Sequence, residues 1–268
     1  MPLTATPRRY LMCRPTFFDV SYRINPWMDP AAGCDPKLAL KQWERLRGTL
    51  LDLGHTVEEI EPVEGLPDMV FAANGATVID GLALAARFRD AERADEAAAY
   101  AAWLEQAGLP VLPAAAVNEG EGDLLLAGDV ILAGAGFRTE PAAHAEAQEA
   151  FGRQVVTLRL VDPRYYHLDT ALCVLGPDNV AYLPQAFSPG SVAVLRRMFP
   201  DAIVADPADA AVLGLNAVSD GRHVVLPEHA VGLAARLDAA GYDTIGVDVS
   251  ELAKAGGGPK CCTLEVRG

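Results

Sequence analysis

The sequence predicts an α/β fold: a five-bladed propeller of five ββαβ units around a pseudo-fivefold axis, in one domain over residues 1–268. Three observations predict it. A strand–strand–helix–strand pattern recurs with a period of roughly 40–50 residues. Turn-forming pairs such as Asp80-Gly81 separate the first two strands of a unit, which is typical of hairpins and not of parallel crossover strands. The two ends of the chain each supply part of the last unit, so the array is expected to close into a ring.

The first complete unit shows each element. Its apolar strand Ala76–Ile79 leads through Asp80-Gly81 into a second strand, Leu82–Ala86. A helix is expected over Asp90–Ala107, and the third strand is Val111–Leu112. Because Asp-Gly between two apolar runs is a strong hairpin signal, this segment is expected to fold as strand, strand, helix and strand.

Three further units repeat this order. In each, two apolar stretches enclose a turn-forming pair, and a helical stretch and a third strand follow. The hairpins are DLLLAGDVILAG, TALCVLGPDNVAYLP and NAVSDGRHVVLP, the helices are PAAHAEAQEAFG, SPGSVAVLRRMF and HAVGLAARLDAAGY, and the third strands are QVVTLRL, AIVADP and TIGVDV.

The last unit joins the two ends of the chain. CCTLEVRG and YLMCRP are expected to pair as strands, with PKLALKQWERLRGTLLDLG as the helix and HTVEEIEP as the third strand. Each unit alone would expose a sheet face and a helix stripe, whereas five units around an axis bury these surfaces together. Such a ring has a central channel, where loops that are distant in sequence meet. A doubly wound two-domain protein is the alternative, and the recurring hairpins disfavour it.

Composition limits the classes of function. The formal net charge of −14 argues against nucleic-acid binding, because phosphate neutralisation needs clustered Lys and Arg. A negative cleft would suit a small cationic ligand. The sequence lacks an apolar run of membrane-spanning length and a secretory signal, so a cytoplasmic protein with no membrane partner is expected. Homo-oligomerisation stays open.

The cysteines favour a reactive thiol. Their number is odd, and they show neither CxxC spacing nor a cluster with histidine, so a disulfide framework and a zinc site are both disfavoured. The pair of adjacent cysteines follows the turn-forming run GGGPK, which can present a thiol at the start of a strand. A nearby imidazolium can lower the pKa of such a thiol and make it nucleophilic. The cysteines are Cys13, Cys34, Cys173, Cys261 and Cys262.

A histidine and several polar residues stand where other units begin. His167 opens a predicted strand, and Asp169 would point the same way in an extended segment, which suits a histidine held by a carboxylate. Glu119, Glu121 and Asp123 alternate with glycines, and carboxylates buried this close raise one another's pKa. A solvated acidic loop is the alternative for these three residues.

Four more polar residues are candidates for a binding site. Arg87 and Arg138 follow the second strands of neighbouring units, where two arginines could clamp a carboxylate. Asn74 precedes a glycine, and a simple turn residue is the alternative there. Asn25 lies in SYRINPWMDP, and its apolar neighbours predict a segment that folds over a site.

Four motifs in a fixed order resemble the guanidino-group-modifying enzymes of the pentein superfamily. They are PDMVFAAN, EGEGD, YHLDT and GGGPKC. The superfamily includes arginine deiminases, dimethylargininases, amidinotransferases and arginine dihydrolases. The resemblance covers nearly the whole chain and implies the pentein fold, the same five-bladed propeller that the repeats predict. It also implies a small-molecule substrate, arginine or a methylated arginine, and neither a metal nor an organic cofactor.

The resemblance implies catalytic roles for three residues. The nucleophile after the GGGPx run is Cys261, and the acid/base histidine of HLDT is His167. The glutamate of the family's EGGD motif matches Glu119 or Glu121, because EGEGD is one residue longer. Glu119 is preferred, with Asp123 as the last residue of the motif.

The resemblance also implies which residues bind the substrate. They are Asn25, Asn74, Arg87, Arg138 and Asp169, with Asp123 beside them. Deiminases and dimethylargininases usually carry an aspartate where Asn74 stands, so FxAN together with INPWM resembles the arginine dihydrolase branch. The first expectation is therefore hydrolysis of arginine to ornithine, carbon dioxide and ammonia. The alternatives are a dimethylargininase, then an amidinotransferase, then an arginine-binding sensor of the same fold.

The expected chemistry is covalent. The Cys261 thiolate attacks the guanidinium carbon, His167 protonates the departing amine, and water activated by His167 then hydrolyses the thiouronium adduct. Glu119 and Asp169 hold the cationic group by charge-assisted hydrogen bonds. An amide donates as well as accepts, so Asn74 could hold a ureido product for a second round.

Overall fold

Five three-stranded sheets, one for each predicted unit, form the protein in a computed structural model that describes residues 3–268. In every sheet the second strand is central. It pairs antiparallel with the first strand and parallel with the third. A hairpin followed by a helical crossover produces this pairing, so the predicted ββαβ order is confirmed.

The main helix of each unit lies between its second and third strands, and three short helices precede or follow the sheets. The strands are β1 (Arg9–Cys13), β2 (Thr56–Ile60), β3 (Ala76–Ile79), β4 (Leu82–Ala85), β5 (Val111–Leu112), β6 (Leu124–Ala127), β7 (Val130–Ala135), β8 (Gln154–Arg159), β9 (Leu172–Gly176), β10 (Asn179–Tyr182), β11 (Ile203–Val204), β12 (Val218–Ser219), β13 (His223–Pro227), β14 (Asp243–Val247) and β15 (Leu264–Glu265). The helices are α1 (Pro36–Asp52), α2 (Glu96–Gln106), α3 (Pro141–Phe151), α4 (Leu168–Ala171), α5 (Pro189–Met198), α6 (Pro207–Ala210), α7 (Val231–Ala239) and α8 (Ser250–Ala253).

The first strand of each unit faces the axis of the ring. Strands β6, β9 and β12 contact one another in turn, and β15 contacts β3. The fifth unit is closed across the two ends of the chain, because β15 pairs with β1 through Tyr10–Glu265 and Leu11–Leu264. The predicted five-bladed propeller is therefore confirmed.

Local turn and cap chemistry explains where elements begin. Asp80 and Gly81 both have positive φ, 51° and 74°, which is the backbone of the tight hairpin turn that Asp-Gly favours. The side chain of Asp35 accepts hydrogen bonds from the backbone N–H groups of Lys37 and Leu38, and Pro36 occupies the first turn of α1. These residues satisfy N–H groups that the helix itself leaves unpaired.

The core lies between the sheets and the helices outside them. Trp43 of α1, Tyr100 of α2 and Tyr182 of β10 are among the largest fully buried side chains. No helix within residues 3–268 combines the length and the apolar character that crossing a bilayer requires.

Two local predictions were wrong. The helix expected over Asp90–Ala107 is interrupted: a 3-10 turn over Ala91–Arg93 precedes α2. The segment that begins at His167 is extended only at that residue, and Asp169 lies in the short helix α4. The spacing argument for the His167 and Asp169 side chains therefore does not apply, although both reach the same site.

Candidate active site

The turns that lead into the five inner strands carry the polar residues of the site. Asn74 precedes β3, Glu119 precedes β6, His167 precedes β9, Asn216 precedes β12 and Cys261 precedes β15. All five are buried. Because the units are arranged alike around the axis, equivalent turns meet at one end of the channel.

Asn216 holds Cys261 in place. Its Oδ1 accepts hydrogen bonds from the backbone N–H groups of Gly258 (2.8 Å) and Cys261 (3.0 Å), and its Nδ2 donates to the Cys261 Sγ (3.1 Å). The turn tolerates no side chain at Gly257, where a Cβ would lie 2.3 Å from the Phe71 ring. Sequence reasoning missed Asn216, although its place at the start of the fourth unit matches that of Asn74 in the first.

Asp169 is the carboxylate beside the thiol. The Cys261 thiol donates to its Oδ2 at 3.2 Å, and its Oδ1 has no hydrogen-bond partner among the described residues. Burial raises the pKa of Asp169 to about 6. Burial, and then Asp169 itself, raise the pKa of the Cys261 thiol well above its ordinary value. The sulfur is therefore a neutral thiol at neutral pH, and an acceptor oxygen without a partner among the described residues lies next to it.

Glu119 joins His167 to Arg138. The His167 Nε2 donates to Glu119 Oε2 at 2.7 Å, and Arg138 donates to the same oxygen at 2.8 Å. Burial alone would raise the pKa of Glu119, but Arg138 and His167 hold it well below its ordinary value. An ionised Glu119 accepts the proton of Nε2, so the other ring nitrogen of His167 serves the site. That Nδ1 has no partner within residues 3–268.

Asn74 is oriented by a buried arginine that sequence reasoning missed. Arg93 donates to Asn74 Oδ1 at 2.7 Å and forms a bidentate pair with Glu96 (2.9 and 2.7 Å). The amide nitrogen of Asn74 is thereby turned toward the backbone oxygen of Glu119, 3.4 Å away. The pattern of Arg93 and Glu96 resembles an ordinary surface pair in a helical stretch, so no local signal marked it.

Asn25 fixes the loop between β1 and α1 over the site. Its Oδ1 accepts from the backbone N–H of Trp27 at 2.9 Å, and its Nδ2 donates to the carbonyl of Ala255 at 3.0 Å. Arg138 also binds this loop, through the carbonyl of Ile24 at 2.9 Å. The loop therefore covers the turn that carries the cysteine, as its apolar composition predicted.

The two remaining acidic residues have different surroundings. Asp123 accepts from the backbone N–H groups of Leu168 (2.9 Å) and Thr139 (3.3 Å), so it supports the turn that carries His167. Glu121 points away from the histidine and pairs with Lys260 (2.8 Å) and Arg267. Of the two glutamates that the sequence left open, Glu119 is the one that contacts His167.

Arg87, which was expected to bind the substrate, lies outside this cluster of buried side chains. Its side chain is exposed and donates to the carbonyl of Ala115, while its backbone forms a bridge with Asn118. Arg87 and Arg138 follow the second strands of neighbouring units, but their side chains point in different directions. The backbone bridge to Asn118 fixes Arg87 with its side chain facing solvent. Arg93 is the second buried guanidinium beside the site.

The arrangement combines a nucleophile, an acid/base group and an acceptor for a cation. The Cys261 thiol can act as a nucleophile once it is ionised, and Asp169 has an oxygen free for an N–H donor. His167 can exchange protons through Nδ1 while Glu119 holds its other nitrogen. Such a set suits covalent substitution at an electrophilic carbon that belongs to a cationic group.

Comparisons with known proteins place this chain among arginine-modifying hydrolases. No protein-family model matches it. The dimethylarginine dimethylaminohydrolase of Mycobacterium tuberculosis is 55% identical over 267 residues, which are 99% of this chain and 88% of that protein. The bifunctional arginine dihydrolase/ornithine cyclodeaminase ArgZ of Synechocystis is 36% identical over 96% of this chain, which spans 37% of the length of ArgZ.

Solved structures agree on the fold. The substrate-bound N-terminal domain of ArgZ, in a cysteine-to-serine variant, superimposes on this chain with a TM-score of 0.93 at 34% identity. The matched residues are 97% of this chain and 98% of that domain. A dimethylarginine dimethylaminohydrolase in an adduct with S-methyl-L-thiocitrulline superimposes with a TM-score of 0.82 at 21% identity. The second likeness concerns the fold alone.

Proposed function

This chain belongs to the guanidino-group-modifying enzymes of the pentein superfamily, and we propose that it is a hydrolase that attacks the guanidinium carbon of dimethylarginine. One observation carries the proposal: the Cys261 thiol contacts Asp169, whose second oxygen is free to accept from a guanidinium N–H. The identity of 55% to a dimethylarginine dimethylaminohydrolase, against 36% to an arginine dihydrolase, favours the methylated substrate. It thus supports the alternative named from the sequence better than the first expectation, which rested on Asn74.

Binding of the cation prepares the nucleophile. The guanidinium N–H groups donate to Asp169, and the positive charge lowers the pKa of the adjacent thiol. The thiol proton passes to the Nδ1 of His167, and the Cys261 sulfur attacks the guanidinium carbon. In the tetrahedral intermediate, His167 returns this proton to the departing amine, and the carbon–nitrogen bond breaks.

Water completes the reaction. A planar thiouronium adduct remains on Cys261, and neutral His167 removes a proton from the water that attacks it. The carbon–sulfur bond then breaks as the added hydroxyl becomes the ureido carbonyl and releases its proton to solvent, His167 gives its own proton back to sulfur, and a ureido product leaves. The ionised Glu119 stabilises His167 while it carries the extra proton.

The test supplies dimethylarginine and arginine side by side to the purified protein. We expect equal amounts of dimethylamine and citrulline from dimethylarginine, with a kcat/KM at least about tenfold above that for arginine. Chromatography of the amines and amino acids measures both. Faster turnover of arginine, or no dimethylamine, would reject the proposal.

Arginine dihydrolase activity is the second candidate, because Asn74 presents an amide donor and not a carboxylate. An amide N–H can hold the ureido oxygen of citrulline for a second hydrolysis, which a carboxylate cannot. The TM-score of 0.93 to the substrate-bound ArgZ domain supports this candidate. Its signature is two ammonia molecules for each ornithine formed from arginine.

Asn74→Asp separates the two candidates. If arginine is carried to ornithine, the substitution is expected to make citrulline accumulate, because the carboxylate cannot donate to the ureido oxygen. If dimethylarginine is the substrate, citrulline stays the product and only the rate changes. Asn179→Asp, at a residue of β10 that binds Tyr242, is the matched control and should leave the products unchanged.

A further inference from the structure

A second cavity lies at the end of the ring away from Cys261. Its volume is about 260 Å³, and the bodies and far ends of the inner strands β6, β9 and β12 line it. The residues of the active site precede these same strands. The cavity is therefore the second mouth of the channel, and we call it the axial mouth.

The axial mouth is surrounded by more cations than carboxylates. Arg8, Lys260 and Arg267 face Glu121 and Glu265, three positive groups against two negative ones. Arg8 and Arg267 engage the two oxygens of Glu265, and Arg267 and Lys260 engage those of Glu121. All four carboxylate oxygens are therefore in use.

The unsatisfied groups at this mouth are both hydrogen-bond donors. The hydroxyl of Tyr10 and the Nε of Arg8 are buried and have no hydrogen-bond partner within the described part of the chain. Tyr10 is only 2% exposed and contributes to the cavity wall. A buried donor without an acceptor is costly, so a ligand that supplies acceptor oxygens would be stabilised here. The opposite wall is apolar and includes Leu125, Leu172 and Val218.

We propose that the axial mouth binds a small organic carboxylate. Its oxygens accept from the Tyr10 hydroxyl and the Arg8 guanidinium, and its carbon chain packs against Leu125, Leu172 and Val218. The surplus positive charge favours an anion in spite of the net charge of −14 of the whole chain. The proposal uses none of the side chains that carry out the proposed reaction, so its test does not depend on the function proposed above.

Calorimetric titration with butyrate and succinate tests the proposal. We expect saturable binding of at least one of them by the whole protein, and none of the neutral isostere butyramide. Tyr10→Phe should weaken binding about fivefold, as expected for one lost hydrogen bond, and Arg8→Gln about tenfold. Arg9→Gln is the matched control, because Arg9 pairs with Glu58 at the surface, and it should bind as the unaltered protein does.

Three outcomes would overturn the proposal. The first is the absence of saturable binding of either carboxylate. The second is binding that Arg138→Gln abolishes while Tyr10→Phe and Arg8→Gln leave it unchanged, which would place the ligand in the active site. The third is an affinity for inorganic phosphate equal to that for the carboxylates. Such a result would mean that the apolar wall contributes nothing to binding.

Discussion

Two buried carboxyl groups of the site differ in pKa because their partners differ. Arg138 and His167 keep Glu119 ionised, whereas burial raises the pKa of Asp169 to about 6. The nearest contact of Asp169 is a thiol, which offers a weak donor. Glu119 therefore stays ionised and paired with His167, whereas Asp169 has an oxygen that can accept a hydrogen bond from a bound cation.

Cys261→Ser tests the nucleophile. A hydroxyl is a much weaker acid than a thiol and is rarely ionised even beside His167, so turnover should fall by at least about a thousandfold. Release of amine from dimethylarginine and from arginine measures the loss. Cys34→Ser is the matched control at a half-buried cysteine of the loop between β1 and α1, and it should keep activity. Equal loss in both variants would contradict the assignment.

Asp169→Asn should abolish activity while making the protein more stable at neutral pH. A carboxyl whose folded pKa is raised binds its proton more tightly in the folded state than in the unfolded state. The contribution of Asp169 to the free energy of unfolding is therefore most favourable below pH 3.8 and is lost as the pH rises through about 6. Removing the charge should then raise the free energy of unfolding by about 3 kcal/mol at pH 7.5.

Urea unfolding at pH 4 and pH 7.5 measures this difference. The unaltered protein and the Asp169→Asn variant should be nearly equal in stability at pH 4 and should diverge at pH 7.5. If the two proteins differ in unfolding free energy by the same amount at both pH values, the ionisation of Asp169 does not destabilise the folded protein. Activity should fall by about a hundredfold or more, because the cation loses its charged partner.

At the scale of elements, one position in the repeated unit does most of the chemistry. The turn before the inner strand carries Asn74, Glu119, His167, Asn216 and Cys261 in the five units. A turn allows the backbone to place a side chain on the axis while the strand behind it stays packed. The same position therefore provides four kinds of functional group in the five units, with an amide in two of them.

The turn before β15 depends on the absence of a side chain at Gly257. Gly257→Ala would place a Cβ 2.3 Å from the Phe71 ring and 3.1 Å from the Cys261 Cβ. We expect a loss of about 2 kcal/mol in unfolding free energy and a lower kcat, because the cysteine must shift. Gly48→Ala is the contrasting control in α1, where nothing lies within 4 Å, and it should stabilise by about 0.5–1 kcal/mol. Denaturant unfolding that shows the same sign for both variants would contradict this account.

At the scale of the whole molecule, Glu121 helps to close the ring. It links the turn before β6 to the last strand through Lys260, Arg267 and the backbone N–H of Glu265 (3.0 Å). Burial alone would raise the pKa of Glu121, but Arg267 and Lys260 lower it below 4.5. A carboxyl with a lowered folded pKa stabilises the protein above its unfolded pKa, and the stabilisation is lost as the pH falls.

Glu121→Gln should weaken ring closure. An amide nitrogen would face two buried cations, and breaking a buried ion pair from one side costs about 3 kcal/mol. The variant should lose this much unfolding free energy at pH 7 and less at pH 3. Thermal and urea unfolding measure it, with Glu44→Gln at an exposed pair with Arg14 as the matched control. If Glu121→Gln loses no more unfolding free energy than Glu44→Gln, Glu121 does not stabilise the closed ring.

Sequence alone determined the five-unit order, the closure across the chain ends and the motifs around Cys261 and His167. These follow from turn chemistry and apolar periodicity, which act over a few neighbouring residues. Only the tertiary structure decided that Asn216 holds the cysteine, that Arg93 orients Asn74 and that Arg87 faces solvent. Each of these depends on which side chains share a buried volume after the ring has closed, and Asn216 lies 45 residues from Cys261 in the sequence. No local pattern records such a neighbour, because burial and charge act through space and not along the chain.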